Sequence, residues 1–226
     1  MTAEVLSIHP TKPEPDRIAR VVQSLAAGHV AALPTDTFYG LAVDPINLRA
    51  VERIYEIKTR ARHKPLSLLI SETAQAYGLA REIDTAFDRL AERFWPGPLT
   101  MVLDLAAGVV LHLGGTGTGG DDLEAGSSGN VGVRCPDHKM LRALCTASGP
   151  LAVSSANRHG EPPCTSAVQV LSTFDRSSDK SLPLVIDGGR CDGVVSTVLD
   201  LSGTEPRCLR HGAVPWSAVL TALASR

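Results

Sequence analysis

Apolar runs of strand length recur along this chain between stretches of helical period, and several end in a hydroxyl, an amide or a cation. The strand-like runs are His29–Pro34, Pro65–Ile70, Leu99–Leu105, Val131–Arg134, Pro150–Ser154, Leu184–Ile186, Ser196–Leu201 and Arg207–Arg210. Helical period marks Asp16–Ala27, with Ile18, Val21, Val22 and Leu25 on one face and Gly28 as a C-cap. It marks Leu48–Lys58, with Val51, Ile54, Tyr55 and Lys58 on one side, and Asp84–Phe94, which Trp95-Pro96-Gly97-Pro98 stops. His138–Ala147, a helix from near Thr165, and Pro215–Ala224 complete the set. Helices and strands interleave without a regular βαβ period. That order predicts an α/β fold on a mixed sheet rather than a doubly wound parallel one.

A chain of 226 residues, 43% hydrophobic and 20% charged, can bury one large core, and residues 1–226 are read as a single domain. Leu113–Asn130 breaks the pattern, with Gly, Ser, Thr and acidic residues and almost nothing to bury, so 113–130 is expected to be a mobile insertion. The net charge of −2 offers no global attraction to nucleic acid, although 22 Lys and Arg leave room for a local basic cleft. Five cysteines without CxxC and seven histidines without HExxH speak against a disulfide framework and a zinc site. Cys135, Cys145 and Cys208 fall among apolar neighbours and are expected in the core. Residues Met1–Asp16 lack the apolar run of a signal peptide, and no stretch is long and apolar enough for a membrane span. The expected location is the cytoplasm.

Four polar motifs stand out. Thr35 and Thr37 follow the strand ending at Pro34, and Gly40 permits close backbone approach. Their hydroxyls suit the carboxylate or hydroxyl of a small ligand, and equally a turn with an Asx-type bond. Lys58, Arg60, Arg62, His63 and Lys64 crowd just beyond a helix C-terminus. The helix dipole explains one or two cations there; five favour a polyphosphate site. Ser154, Ser155 and Asn157 follow an apolar strand and fit either phosphate and sugar oxygens or simple capping. Ser196 and Thr197 open a strand after Gly193, as cleft hydroxyls or as ordinary strand formers. Arg134 at a strand end reads by itself as a solvated turn arginine, and Arg210 faces a phosphate or solvent. Neither GxxxxGK[ST] nor GxSxG occurs; GGTGTGG at 114–120 spells a GxGxxG but lacks the strand before it and the helix after it that a dinucleotide loop needs, and nothing marks a nucleophilic cysteine.

In order, PTDTFYGLAVD, AVERIYEIKTR, KPLSLLI, FWPGPLT, VGVRCPDH, GPLAVSSAN, GVVSTVLDL and LRHGAV resemble the blocks of the YrdC-like family of L-threonylcarbamoyladenylate synthases, over roughly Ala19 to Val214. The likeness is to its short, single-domain form. It implies a twisted mixed sheet with flanking helices and a basic concave face. It also implies that L-threonine, bicarbonate and ATP give threonylcarbamoyl-AMP and pyrophosphate, which a separate transferase complex uses to modify tRNA. By that resemblance Lys58, Arg60, Ser155 and Asn157 bind the nucleotide phosphates, with Arg210 on the nucleotide and Lys64 a weaker addition. Thr35 and Ser196 match positions that hold threonine, and Arg134 the ligand carboxylate. Mg²⁺ would travel with ATP, held by its phosphates.

Three departures accompany the likeness. Where some members place a His after the KxR motif, Leu68-Leu69 stand here, so one threonine contact is lost or replaced. A Ser before the helix after SxN is replaced by Pro163 or Cys164, and the Gly-rich stretch is longer than usual. The competing reading is an RNA-binding module of the same fold, for tRNA or double-stranded RNA. Aromatics at 4% and no aromatic platform among the basic residues place it second. A paralogue acting on another small amine is the third reading.

Overall fold

The computed structural model describes residues 3–59, 65–114, 129–174, 182–191 and 193–224. Arg60, Lys64 and residues 115–128 of the Gly-rich stretch therefore lie outside the described residues. In chain order the elements are β1 (Glu4–Ser7), α1 (Pro15–Ala26), β2 (Ala31–Leu33), β3 (Gly40–Val43), α2 (Leu48–Lys58) and β4 (Ser67–Leu69). Then come α3 (Ala74–Tyr77), α4 (Thr85–Phe94), β5 (Leu99–Asp104), β6 (Asn130–Arg134), α5 (Lys139–Ser148) and β7 (Leu151–Ser155). The last are α6 (Ala167–Phe174), β8 (Leu184–Asp187), β9 (Thr197–Asp200), β10 (Arg207–Arg210) and α7 (Trp216–Ala224).

The ten strands of the described residues join one sheet in the order β1-β8-β2-β3-β7-β4-β6-β5-β9-β10. Parallel pairs (β1/β8, β2/β8, β4/β6, β5/β9) mix with antiparallel ones (β2/β3, β3/β7, β4/β7, β5/β6, β9/β10), as the irregular interleaving predicts. The helices begin where local chemistry starts them. Asn47 accepts from the Ala50 amide at 3.1 Å, and Asp84 from the Phe87 amide at 3.0 Å. His138 caps α5 through Nδ1, which accepts from the Leu141 amide at 3.3 Å.

Strand alternation divides the interior in two. Ala31, Leu33, Ala42, Leu69, Leu151, Leu184 and Ile186 point to one face and pack with Ile18, Val21 and Leu25 of α1 and Met140, Leu141 and Leu144 of α5. Their neighbours Ala32, Leu41, Val43, Leu68, Ala152 and Val185 point the other way, against Ile54 of α2, Phe87 and Leu90 of α4, Val170 of α6 and Val219 of α7. Each fully buried Leu, Ile, Val or Phe in these layers stabilises the fold by about 1.5–3 kcal/mol. On the first face, Thr100, Val198 and Arg210 of β5, β9 and β10 belong to neither apolar layer and line a cavity instead.

Three elements escape sequence reasoning. The pattern of β1 buries only Leu6, so it carries little periodic signal. All four residues of β3 are buried, so alternation is invisible there. The third is α3, which is a single turn. Cys208 is a correction: Cys135 and Cys145 are core residues, but Cys208 is only half-buried on edge strand β10, its Sγ 3.7 Å from His211 Nδ1. No helix among the described residues is long and apolar enough to cross a membrane.

Candidate active site

Register assembles the site. Gly40 of β3 stands beside Ser155 of β7, Val153 of β7 beside Ser67 of β4, and Leu69 of β4 beside Arg134 of β6. On the far side Thr100 of β5 is paired with Val198 of β9, which is paired in turn with Arg210 of β10. All of these residues line a cavity of about 400 Å³, together with Thr35, Thr37, Phe38, Pro163 and Ser196. That volume suits a small-molecule ligand. Gly40 leaves room for β7 here, since a Cβ would lie 2.6 Å from Val153 Cγ1 and force that side chain to shift.

Lys58 comes from the last turn of α2 and is 3% exposed. Its Nζ donates to the Ser155 carbonyl, to the Asn157 carbonyl at 2.8 Å and to Asn157 Oδ1 at 2.9 Å. Ser155 Oγ donates to the same Oδ1 at 2.6 Å, and Asn157 Nδ2 donates to the Glu161 carbonyl at 2.6 Å. The SxN turn is therefore locked around the ammonium group, and Ser155 carries the cluster into the cavity wall. Three of the four residues in the KxR…SxN reading come together; Arg60 lies outside the described residues, as does Lys64. After Lys58 the chain leaves α2 through Thr59 in the left-handed region at φ 52°.

Thr35 does line the cavity, but its hydroxyl is largely committed to its own turn. Oγ1 accepts from the Thr37 and Phe38 amides at 3.0 and 3.2 Å, lies 2.9 Å from Thr37 Oγ1 and donates to the Phe38 carbonyl at 2.7 Å. The turn reading and the cavity reading thus hold together. Arg134 is no solvated arginine, at 6% exposure. It donates to Asp36 Oδ1 at 2.5 Å, Thr37 Oγ1 at 3.2 Å and the Gly97 carbonyl at 3.1 Å. These three bonds leave two of its five N–H groups for other acceptors.

Ser196 and Thr197 part company. Thr197 is fully buried and its hydroxyl donates to the Val214 carbonyl at 2.7 Å. Ser196 faces the cavity, where Oγ accepts from Arg210 Nη2 at 2.8 Å and lies 3.0 Å from Thr100 Oγ1. Arg210 Nε also donates to the Ser196 carbonyl at 3.0 Å. A bulge aims Arg210. Arg207 pairs with Asp200 and Cys208 with Leu199, but the register slips before Arg210 meets Val198. Leu209 is the extra residue, and it brings Arg207 and Arg210, three apart, to the same face. Burial, then the like charge of Arg134, hold the Arg210 guanidinium below its ordinary range. Two guanidiniums converging on one cavity favour an anion between them.

Sequence reasoning missed two lining hydroxyls. Thr100 sits in an apolar strand, its only signal being a polar residue on the alternate face. On β4 the cavity meets Ser67 and Leu69; Leu68 points into the opposite core. Likewise Pro163 lines the cavity, while Cys164 is buried and its amide donates to the Ala156 carbonyl at 2.9 Å. Burial pushes the thiols of Cys135 and Cys145 up to about 11 and about 12, so neither is a nucleophile at neutral pH.

The family model Sua5/YciO/YrdC, described as "Telomere recombination", matches residues 23–212. The chain belongs to this family. It is 39% identical over 190 residues to the threonylcarbamoyl-AMP synthase of Pyrococcus abyssi, covering 83% of this chain and 52% of that protein. It is 36% identical over 200 residues to the threonylcarbamoyl-AMP synthase of Bacillus subtilis, covering 88% of this chain and 54% of that one. The chain thus spans about half the length of these two relatives. Among solved structures, P. abyssi Sua5 complexed with L-threonine superposes with a TM-score of 0.84 at 33% identity, covering 98% of this chain and 61% of that one. Escherichia coli YciO shares the fold, with a TM-score of 0.81 at 23% identity over 96% of this chain and 100% of that one. The mixed α/β sheet expected from the sequence is the sheet of this family.

Proposed function

We propose that this protein is a threonylcarbamoyl-AMP synthase, joining L-threonine, bicarbonate and ATP into threonylcarbamoyl-AMP and pyrophosphate for tRNA modification. The observation that carries the reading is the meeting of distant motifs: Lys58, Ser155 and Asn157 clasp one another beside a cavity that Arg134 and Arg210 flank. The names of the two relatives, and a threonine-bound structure with the same fold, support the choice of substrates. A single sheet that takes strands from Glu4 to Arg210 supports reading residues 1–226 as one domain. Five free thiols, four of them buried, support a cytoplasmic setting.

In this reading the amine of threonine attacks the carboxyl carbon of bicarbonate, water leaves, and a carbamate forms. A carbamate oxygen then attacks the α-phosphorus of ATP and pyrophosphate departs with the electron pair of the broken P–O bond. Both steps crowd negative charge, so fixed cations lower the barrier. Arg134 and Ser196 hold the amino acid, with Thr35 shaping that end of the cavity. Lys58, Ser155, Asn157 and Arg210 hold the phosphates, with Arg60 and Lys64 assigned to the same end by the motif alone. Mg²⁺ belongs to this reading as the ion ATP carries. Among the described residues no group of three or more His, Cys, Asp or Glu side chains assembles to hold it.

The test is pyrophosphate release from ATP, with and without L-threonine and bicarbonate, for the wild type and Lys58→Ala. Release that needs both co-substrates and is lost in the variant is expected. Release with another amino acid would move the substrate and keep the chemistry. No release, together with tRNA binding that falls steeply with salt, would favour the RNA-binding reading instead.

A further inference from the structure

We propose that Thr100 is a positioning residue, which fixes the Ser196 hydroxyl as a hydrogen-bond donor toward the amino acid and ties it to Arg210 on the nucleotide side. The proposal rests on the synthase reading of the cavity.

The argument begins with hydrogen-bond capacity. Ser196 Oγ has one proton and two lone pairs. Arg210 has no acceptor, so its Nη2 must be the donor in the 2.8 Å bond to Ser196 Oγ. Thr100 Oγ1, 3.0 Å from the same oxygen, is 4% exposed and stands on β5, which is covered on both edges by β6 and β9. When Thr100 donates, both lone pairs of Ser196 are filled, and its proton has only the cavity to serve. A charged donor on the oxygen also polarises the O–H bond and strengthens what it donates. Ser196 becomes a fixed donor aimed at an acceptor on the ligand rather than a rotor.

The fold places Thr100 for this role. Its strand register sets it beside Val198 of β9, two residues after Ser196, on the cavity face. On the opposite flank, Met101 is paired with Val133, so Thr100 also stands next to Arg134. By register Thr100 thus lies between the strands that carry the two guanidiniums flanking the cavity, and its hydroxyl reaches Ser196, the partner of Arg210. Strand propensity does not account for a hydroxyl there, since valine would fill the same volume and suit the strand equally.

The test compares Thr100→Val, which keeps the shape and removes the hydroxyl, with Thr100→Ser, which keeps the hydroxyl. The readouts are KM for L-threonine, KM for ATP, kcat for pyrophosphate release, calorimetric affinity for L-threonine alone, and Tm. Thr100→Val should raise the L-threonine KM and weaken its calorimetric affinity by about three- to ten-fold, the worth of one oriented hydrogen bond. The ATP KM should move less than two-fold or so. Thr100→Ser should restore wild-type values. An unchanged L-threonine KM in Thr100→Val overturns the assignment. Equal loss on both substrates, with a lower Tm and no rescue by serine, also overturns it, in favour of a packing role. A wild type that releases no pyrophosphate with L-threonine fails at an earlier point and overturns the synthase reading itself.

Discussion

Lys58 Nζ donates to Asn157 Oδ1 at 2.9 Å, joining residues 99 apart in the chain. That bond makes a testable unit of two motifs. Lys58→Ala should cut pyrophosphate release by about 100-fold or more, the scale expected when a charge-stabilising donor is removed. Asn157→Ala leaves the lysine in place but unanchored, and should cost about 10- to 100-fold through misplacement. Steady-state kinetics of both variants, with circular dichroism to confirm folding, would check this.

Arg134 and Asp36 form a pair whose side chains are 7% and 11% exposed. Removing one partner strands the other charge. Arg134→Met should therefore destabilise by about 3–5 kcal/mol. For a chain of this size that is a fall in Tm of about 6–20 °C. Asp36→Asn keeps a hydrogen-bond acceptor and should cost less, so thermal melts should rank the wild type above Asp36→Asn above Arg134→Met.

Gly193 holds the Thr35 turn at close range. A Cβ there would lie 2.6 Å from the Asp36 carbonyl oxygen and 2.6 Å from Thr37 Cα, both backbone atoms that cannot swing aside. Gly193→Ala should cost about 1–3 kcal/mol through overpacking. Because the displaced turn carries Asp36 and Thr37, the partners of Arg134, the L-threonine KM should rise as well. A melt and a KM measurement on one preparation would test both.

His138 gives the fold a pH dependence of known sign. Burial lowers its pKa below the ordinary 6.5, against the pull of Asp36 and Asp137, and its neutral Nδ1 caps α5. As pH falls the unfolded chain takes the proton first, so it binds more protons than the folded one. The stability from this group is present above about 6.5 and is lost as pH falls through the lower folded value. His138→Asn keeps a cap and cannot titrate. Its Tm should fall less than that of the wild type between pH 7 and pH 5, in melts read as a difference between the two proteins.

Much of the molecule is written locally. The helices α1, α2, α4, α5 and α7 follow from apolar residues at helical spacing and from caps such as Asn47 and Asp84, because a helix closes its hydrogen bonds within itself. The polar strand ends at Thr35, Arg134, Ser155, Ser196 and Arg210 were legible as candidates for the same reason: type and place along the chain are enough to name them. What each side chain does was not legible. Strand partners lie far apart in sequence, and a one-residue change of register turns every side chain over. So β1, whose partner β8 lies some 180 residues away, went unseen. Thr197 proved a core residue while its neighbour Ser196 faced the cavity. Arg134 was buried against Asp36 where the sequence suggested solvent. The bulge at Leu209 aims Arg210, and Thr100 gains its role only when β5 comes to lie between β6 and β9. The sequence by itself determined which residues are available for chemistry; tertiary structure decided which of them face one another, because pairing across a sheet is long-range and its register is set by the packing of both faces together.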